Sequence, residues 1–200
     1  MIVVKKLKDL PLEDDRPVVA TIGNFDGIHR GHQQIMAQVR EQAEAIDGQS
    51  AVITFHPHPL RLIDSERAPR LMLTGSQKEK ILEELGLDAL IAVPFDRKLA
   101  DMPAETFVRS LLHEKIRVRH LFVGPDFRFG RGRAGDVELL QHLGGELGFT
   151  AHGIAPVLEG QQRISASLIR DLLSRGDARQ AHELLTRPFT LTGTVVHGEG

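Results

Sequence analysis

No cysteine occurs in the 200 residues, which excludes disulfides, thiolate metal sites and a cysteine nucleophile. Tryptophan and tyrosine are missing too, so nine phenylalanines supply all the aromatic surface. Charge of either sign is not in surplus: 25 Lys and Arg against 27 Asp and Glu leave a formal −2. Without a global basic field, neither nucleic acid nor an anionic membrane is an expected partner, and any bound anion must be held by a local arrangement. Long apolar runs are lacking. Ile2-Val3-Val4 is cut off by Lys5 and Lys6, too short for a signal peptide's apolar core or a membrane span. These absences are compatible with a reducing cytoplasm, the expected location. A hydrophobic fraction of 41% over this length suffices for one well-buried domain.

What is present is an alternation of short β-branched runs with longer helical stretches. Residues 17–22, 51–55, 89–93, 120–123 and 151–155 read as strands. Residues 30–45, 76–85, 104–113, 136–143, 165–173 and 178–185 read as helices, the second opened by a capping box of Ser76 and Glu79. This pattern predicts an α/β fold, a parallel sheet with helices on both faces. Ligands of such sheets bind beyond the carboxyl ends of the strands. Residues 190–200 alternate like a strand without a partner, the expected first strand of a further module.

The strongest local signal is residues 23–32, Gly-Asn-Phe-Asp-Gly-Ile-His-Arg-Gly-His, where the first long strand hands over to a helix. His29 and His32 fall on one face of a helical turn. Gly23, Gly27 and Gly31 permit close approach of backbone to a phosphate, and helix N-termini favour anions. A lone H-x-x-H is most often a pair of surface histidines; its coincidence with this junction favours a site. His56 and His58 could be two ligands of a metal, yet no partner carboxylate motif accompanies them, and prolines 57 and 59 are expected to hold that loop extended. Gly130-Arg131-Gly132-Arg133-Ala134-Gly135 satisfies the G-x-G-x-x-G dinucleotide pattern. However, Val123 ends seven residues before it, and Ala155 and Pro156 stand where the pattern wants an acid. It reads as a mobile basic loop, with Phe127 and Phe129 nearby to stack on an aromatic ligand.

Residues 23–32 resemble the H-x-G-H signature of the cytidylyltransferase-like nucleotidyltransferases, and G-N-F-D-G-x-H-x-G-H resembles the bacterial FAD synthetases in particular. Three more segments match that family in order: Thr54-Phe55-His56-Pro57-His58-Pro59, Val123-Gly124-Pro125-Asp126-Phe127-Arg128-Phe129-Gly130, and Ile164-Ser165-Ala166-Ser167-Leu168-Ile169-Arg170. One departure is visible. The family's last signature usually reads S-S-T before x-I-R, and here Ser165-Ala166-Ser167 lacks the middle hydroxyl.

The resemblance implies a Rossmann-like sheet of nucleotidyltransferase type over residues 1–185, and transfer of AMP from ATP to FMN, giving FAD and pyrophosphate. Residues 186–200 would open a riboflavin kinase module otherwise absent, so kinase activity is not expected of this chain alone. It further implies His29, His32, Ser167 and Arg170 as catalytic groups. Gly23, Asn24, Phe25, Asp26, Gly31 and Ser165 would contact the nucleotide, and Pro57, His58, Pro59, Asp126 and Phe129 the flavin. Mg²⁺ is expected to neutralise the triphosphate, with Asp26 and Asp126 as outer-sphere partners; no metal ligand is assigned. The FMN phosphate, with a second pKa near ~6, is mostly a dianion at neutral pH and needs no general base. Positioning and charge stabilisation are then the catalytic task. Two alternatives stay open: a nucleotidyltransferase acting on another phosphorylated acceptor, and a dinucleotide-binding module without turnover.

Overall fold

The computed structural model describes residues 1–7, 10 and 16–198. One parallel sheet of six strands organises it, in the order β1-β4-β3-β2-β5-β6. The strands are β1 (Ile2–Val4), β2 (Val18–Ile22), β3 (Gln49–His56), β4 (Ala89–Pro94), β5 (Val118–Val123) and β6 (Thr150–Gly153). β2 is buried at every residue, as a central parallel strand covered on both faces must be. Its alternation sorts the layers. Val18, Ala20 and Ile22 face a core with Phe107, Leu111 and Leu140, while Val19 faces Met36, Val39 and Leu82.

Helix α1 (Arg30–Ala45) crosses from β2 to β3. α2 (Pro59–Ile63) and α3 (Gly75–Glu84) follow β3, and α4 (Arg97–Ala100) follows β4. α5 (Ala104–Thr106) runs on as π-helical turns over Phe107–Lys115 before β5. α6 (Val137–Leu147) leads into β6. A two-stranded hairpin, β7 (Leu158–Glu159) and β8 (Gln162–Arg163), precedes α7 (Ala166–Ser174) and α8 (Ala178–Leu185). These last two helices pack around Ile169, Ala181 and Leu184 with Met72, a third small core beside the sheet.

From β2 the chain moves outward through β3 to β4, then returns to place β5 on the other side of β2. The strand order therefore reverses between β2 and β5, and their carboxyl ends, at Gly23 and Gly124, frame the crevice where such sheets bind ligands.

Four local expectations change. β1, a three-residue edge strand, was not anticipated. The capping box of α3 is Thr74 with Gln77, not Ser76 with Glu79: Gln77 N–H donates to Thr74 Oγ1 at 3.2 Å and Thr74 N–H to Gln77 Oε1 at 2.9 Å. Both tetrads satisfy the pattern; starting earlier gains further helix bonds, including Lys78 N–H to Thr74 C=O at 3.0 Å. The Pro57–Pro59 loop does not stay extended. Pro59, whose fixed φ suits a first helical position, opens α2 with His58 as its cap. Finally, Thr190 to Gly198 form no strand among the described residues, as an unpaired strand has no ladder to complete; Glu199 and Gly200 lie outside the described residues. The Gly130–Gly135 loop is closed at its base by paired bonds between Phe129 and Gly135, and Gly130 packs too tightly on Ala104 for any Cβ.

Candidate active site

The turn from β2 to α1 is built on unusual backbone. Phe25, Gly27 and Ile28 all have positive φ, at 45°, 85° and 43°. For a β-branched residue such as Ile28 this is strained, on the order of 1–3 kcal/mol, and persists only if the surroundings over-determine it. They do. Ile28 is fully buried, and its carbonyl accepts from Gln33 Nε2 at 2.9 Å and from Arg187 Nη1 at 3.0 Å. Arg187 also donates to the carbonyls of Gly27 and Leu185. The strained turn is thus clamped from the far end of the chain.

That turn delivers His29 as the N-cap of α1. His29 Nδ1 accepts from the backbone N–H of His32 at 3.4 Å, so the proton of the neutral ring sits on Nε2. The two imidazoles stack, with centroids 3.7 Å apart and planes within 18°. Phe25 meets His32 edge-on at 5.1 Å. The glycines now have specific reasons. A Cβ on Gly31 would lie 3.2 Å from His29 Nδ1, and one on Gly23 would lie 3.2 Å from the Phe25 ring.

Burial is the main cause that pushes His29 down to about 4, with Arg163 and then Arg187 adding to it against the His29 backbone hydrogen bond. His32 is also held well below the ordinary value, by burial first, then by His29, Lys78 and Arg163. Both rings are neutral at pH 7. Three cations, Arg163, Arg187 and Lys78, act on them, so a protein of net −2 concentrates positive potential here. His32 Nδ1 is buried without a hydrogen-bond partner among the described residues.

His29, His32 and Arg163 help wall a cavity of about 380 Å³ at the crevice between β2 and β5. Gly23, Asn24, Phe25, His29, Gly31 and His32 line one side; Asp126, Phe127, Arg163 and Ser165 line the other. The N-termini of α1 and α7 both open onto it, since Ser165 caps α7 by accepting from Leu168 N–H at 3.2 Å. Two helix dipoles converging on one cavity reinforce its preference for anions.

Not every expected residue reaches that wall. Ser167 is exposed on the first turn of α7. Arg170 does not point at the cavity: Nη2 donates to Asp26 Oδ2 at 2.8 Å and Nε to Arg70 C=O at 3.0 Å. Asp26, 5% exposed, also accepts from Met72 N–H at 2.9 Å. A buried carboxylate needs such a partner, and this one has drawn Arg170. Asp126 lines the cavity but is engaged by Arg163 of the β7–β8 hairpin. Phe129 is buried against Phe107 and Phe127, so the ring available to the cavity is Phe127. Pro57, His58 and Pro59 lie outside the cavity, after β3. The sequence reading missed Gln33, Lys78, Arg163 and Arg187. The first, second and fourth are joined to the turn by contacts that no local pattern announces; Arg163 adjoins the matched segment 164–170 and could have been noted there. Among the described residues, no group of three His, Asp or Glu is placed to hold a metal ion, and no helix is long and apolar enough to cross a membrane.

Comparison with known proteins bears on the same segments. The family model of FAD synthetase matches residues 12–168. The chain is 38% identical to the bifunctional riboflavin kinase/FMN adenylyltransferase of Escherichia coli K12 over 199 residues, covering all of this chain and 64% of that protein. It is 39% identical over 186 residues to the protein of the same name from Pseudomonas fluorescens, covering 93% of this chain and 60% of the relative. The chain therefore spans somewhat under two thirds of these curated relatives. A solved structure described as a macrolide-efflux protein from Streptococcus pneumoniae superposes with a TM-score of 0.82 at 25% identity, over 99% of this chain and 65% of its own. With the family model matched from ahead of β2 into α7, and strands β2 to β6, the His29–His32 turn and the Ser165 cap within that span, the chain belongs to the FAD synthetase family.

Proposed function

We propose that this chain adenylylates FMN with ATP, producing FAD and pyrophosphate. One observation carries the reading: two stacked, neutral imidazoles face a cavity that Arg163 also lines and onto which two helix N-termini open. In the reaction, an oxygen of the FMN phosphate attacks the α-phosphorus of ATP in line. The new P–O bond forms as the bond to the β-phosphate oxygen breaks, and its electron pair leaves with pyrophosphate. No proton need move, because the attacking phosphate is already a dianion near pH 7.

The enzyme's task is to hold two anions together and stabilise the charge that develops between them. His29 Nε2–H and the ring of His32 donate to oxygens of the α-phosphate. Arg163 and the α7 terminus, with Ser165 at its cap, attract the β- and γ-phosphates. Arg170 acts through Asp26, fixing the turn that carries Asn24 and Phe25. ATP would enter as its Mg²⁺ complex; among the described residues Asp126 is the one carboxylate on the cavity wall, and Mg²⁺ is commonly held by one or two carboxylates together with substrate phosphates. Asp126, Phe127 and the Pro57–Pro59 loop border the flavin. Residues 186–200 are read as the opening of the kinase module of the longer relatives, and the cytoplasm as the place of action.

Incubation with FMN, ATP and Mg²⁺, followed by chromatographic separation of nucleotides, tests the reading. FAD with equimolar pyrophosphate is expected. Tight nucleotide binding without product, or turnover only with a non-flavin acceptor, would overturn it.

A further inference from the structure

Lys78 sits at the wrong end of its helix for a cation. It is the fourth residue of α3, whose cap is Thr74, where the helix dipole disfavours positive charge. Its surroundings do not compensate with a carboxylate in contact. Nζ donates to Asn24 C=O at 2.7 Å and to Thr54 Oγ1 at 3.4 Å, both uncharged oxygens. The acid whose charge it senses, Asp26, is already committed to Arg170 and to Met72 N–H. Of the lysines on its own helix, exposed Lys80 pairs with Glu84, whereas half-buried Lys78 makes no ion pair among the described residues. Burial lowers its affinity for its proton, with Asp26 opposing. A desolvated ammonium without a contacting counter-charge is costly to retain unless an anion completes it.

Its position says which anion. Asn24 follows β2 and Thr54 lies near the carboxyl end of β3, so the ammonium rests across two adjacent strand ends. Its charge is felt by His32 in the cavity and by His58 on the loop that follows β3. Lys78 therefore bridges the ends of β2 and β3, holding the cavity-lining Asn24 on one side and Thr54 on the other. The third N–H of the ammonium has no protein partner among the described residues.

We propose that Lys78 binds the phosphate of the acceptor, bringing FMN's phosphate to the α-phosphorus of ATP and offsetting the repulsion between the two anions. This rests on the adenylylation reading. Lys78 stays protonated throughout; it transfers nothing, and the bonds made and broken are those given above.

The test compares FMN with riboflavin, the same ring system without the phosphate. Flavin fluorescence titrations use the wild-type protein, Lys78→Met and Lys78→Arg, with steady-state kinetics in parallel. Loss of one charge-assisted contact should weaken FMN binding by about 10- to 100-fold in Lys78→Met. Riboflavin binding should stay within about twofold, the KM for ATP within about threefold, and Lys78→Arg should recover most of the FMN affinity. Equal weakening of FMN and riboflavin, or a change confined to ATP, would mean that Lys78 only braces the Asn24 turn, and the proposal would be abandoned. If Lys78→Met does not fold, Lys78→Gln with Lys78→Arg gives the same discrimination. Wild-type protein that forms no FAD overturns the adenylylation reading itself; wild-type protein that forms FAD beside a Lys78→Met variant that binds FMN normally overturns only the assignment of Lys78.

Discussion

Two pairs of histidines occupy this fold, and they could hardly be used more differently. His29 and His32 stack face to face at 3.7 Å where β2 hands over to α1. His120 and His152 lie on β5 and β6, joined in the rings' plane by a 3.1 Å contact between Nδ1 and Nε2, with His152 resting on Phe122. Both pairs are pushed toward the neutral form mainly by burial. The second pair satisfies itself, whereas the first leaves a ring nitrogen unpaired, faces a cavity and is surrounded by cations. Paired imidazoles are therefore no signature of a site. The carboxyl end of a strand at the reversal of strand order, a helix terminus and a cavity faced by both rings together are what distinguish one.

The largest expected break in the comparison is catalytic. His32→Ala should slow FAD formation by about 10²–10³-fold, the effect of losing one preorganised donor. His152→Ala should leave the rate within about threefold. Steady-state assays on the two variants decide it; comparable losses would erase the distinction drawn here.

Acid sharpens the contrast next. The folded-state pKa of His29, about 4, lies below its ordinary value of 6.5, so the unfolded chain takes up the proton first as pH falls. The stability present above pH 6.5 is then lost as pH drops toward 4, by roughly 3 kcal/mol from this group. His32 acts in the same direction. Urea denaturation at a series of pH values should show His29→Asn flattening that slope. An unchanged slope would mean that the ring is not buried neutral.

Arg187→Ala should lower FAD formation by about tenfold. It removes donors from the Gly27 and Ile28 carbonyls and loosens the strained turn that aims His29. A fall in kcat with little change in melting temperature separates aiming from general stability. Ser167→Ala should do least, within about threefold, because its hydroxyl is exposed and the α7 terminus offers backbone donors.

The alternation of strands and helices and the H-x-G-H junction could be read directly because each is local: periodicity and spacing act within a few residues. The partners that aim the site were not legible for the opposite reason. Arg187 reaches Ile28 across 159 positions and Arg170 reaches Asp26 across 144, and only the folded chain brings them together. Arg170 and Phe129 also show how matching residue types can be redirected. A buried carboxylate captured the first, and core packing against Phe107 took the ring of the second. The capping tetrads beginning at Thr74 and Ser76 were equivalent as sequence, and total helix bonding chose between them.

The most direct measurement is a crystal structure with a non-hydrolysable ATP analogue and Mg²⁺. An α-phosphate oxygen is expected within hydrogen-bond distance, about 2.7–3.2 Å, of ring nitrogens of both His29 and His32. A triphosphate bound away from both rings would contradict it.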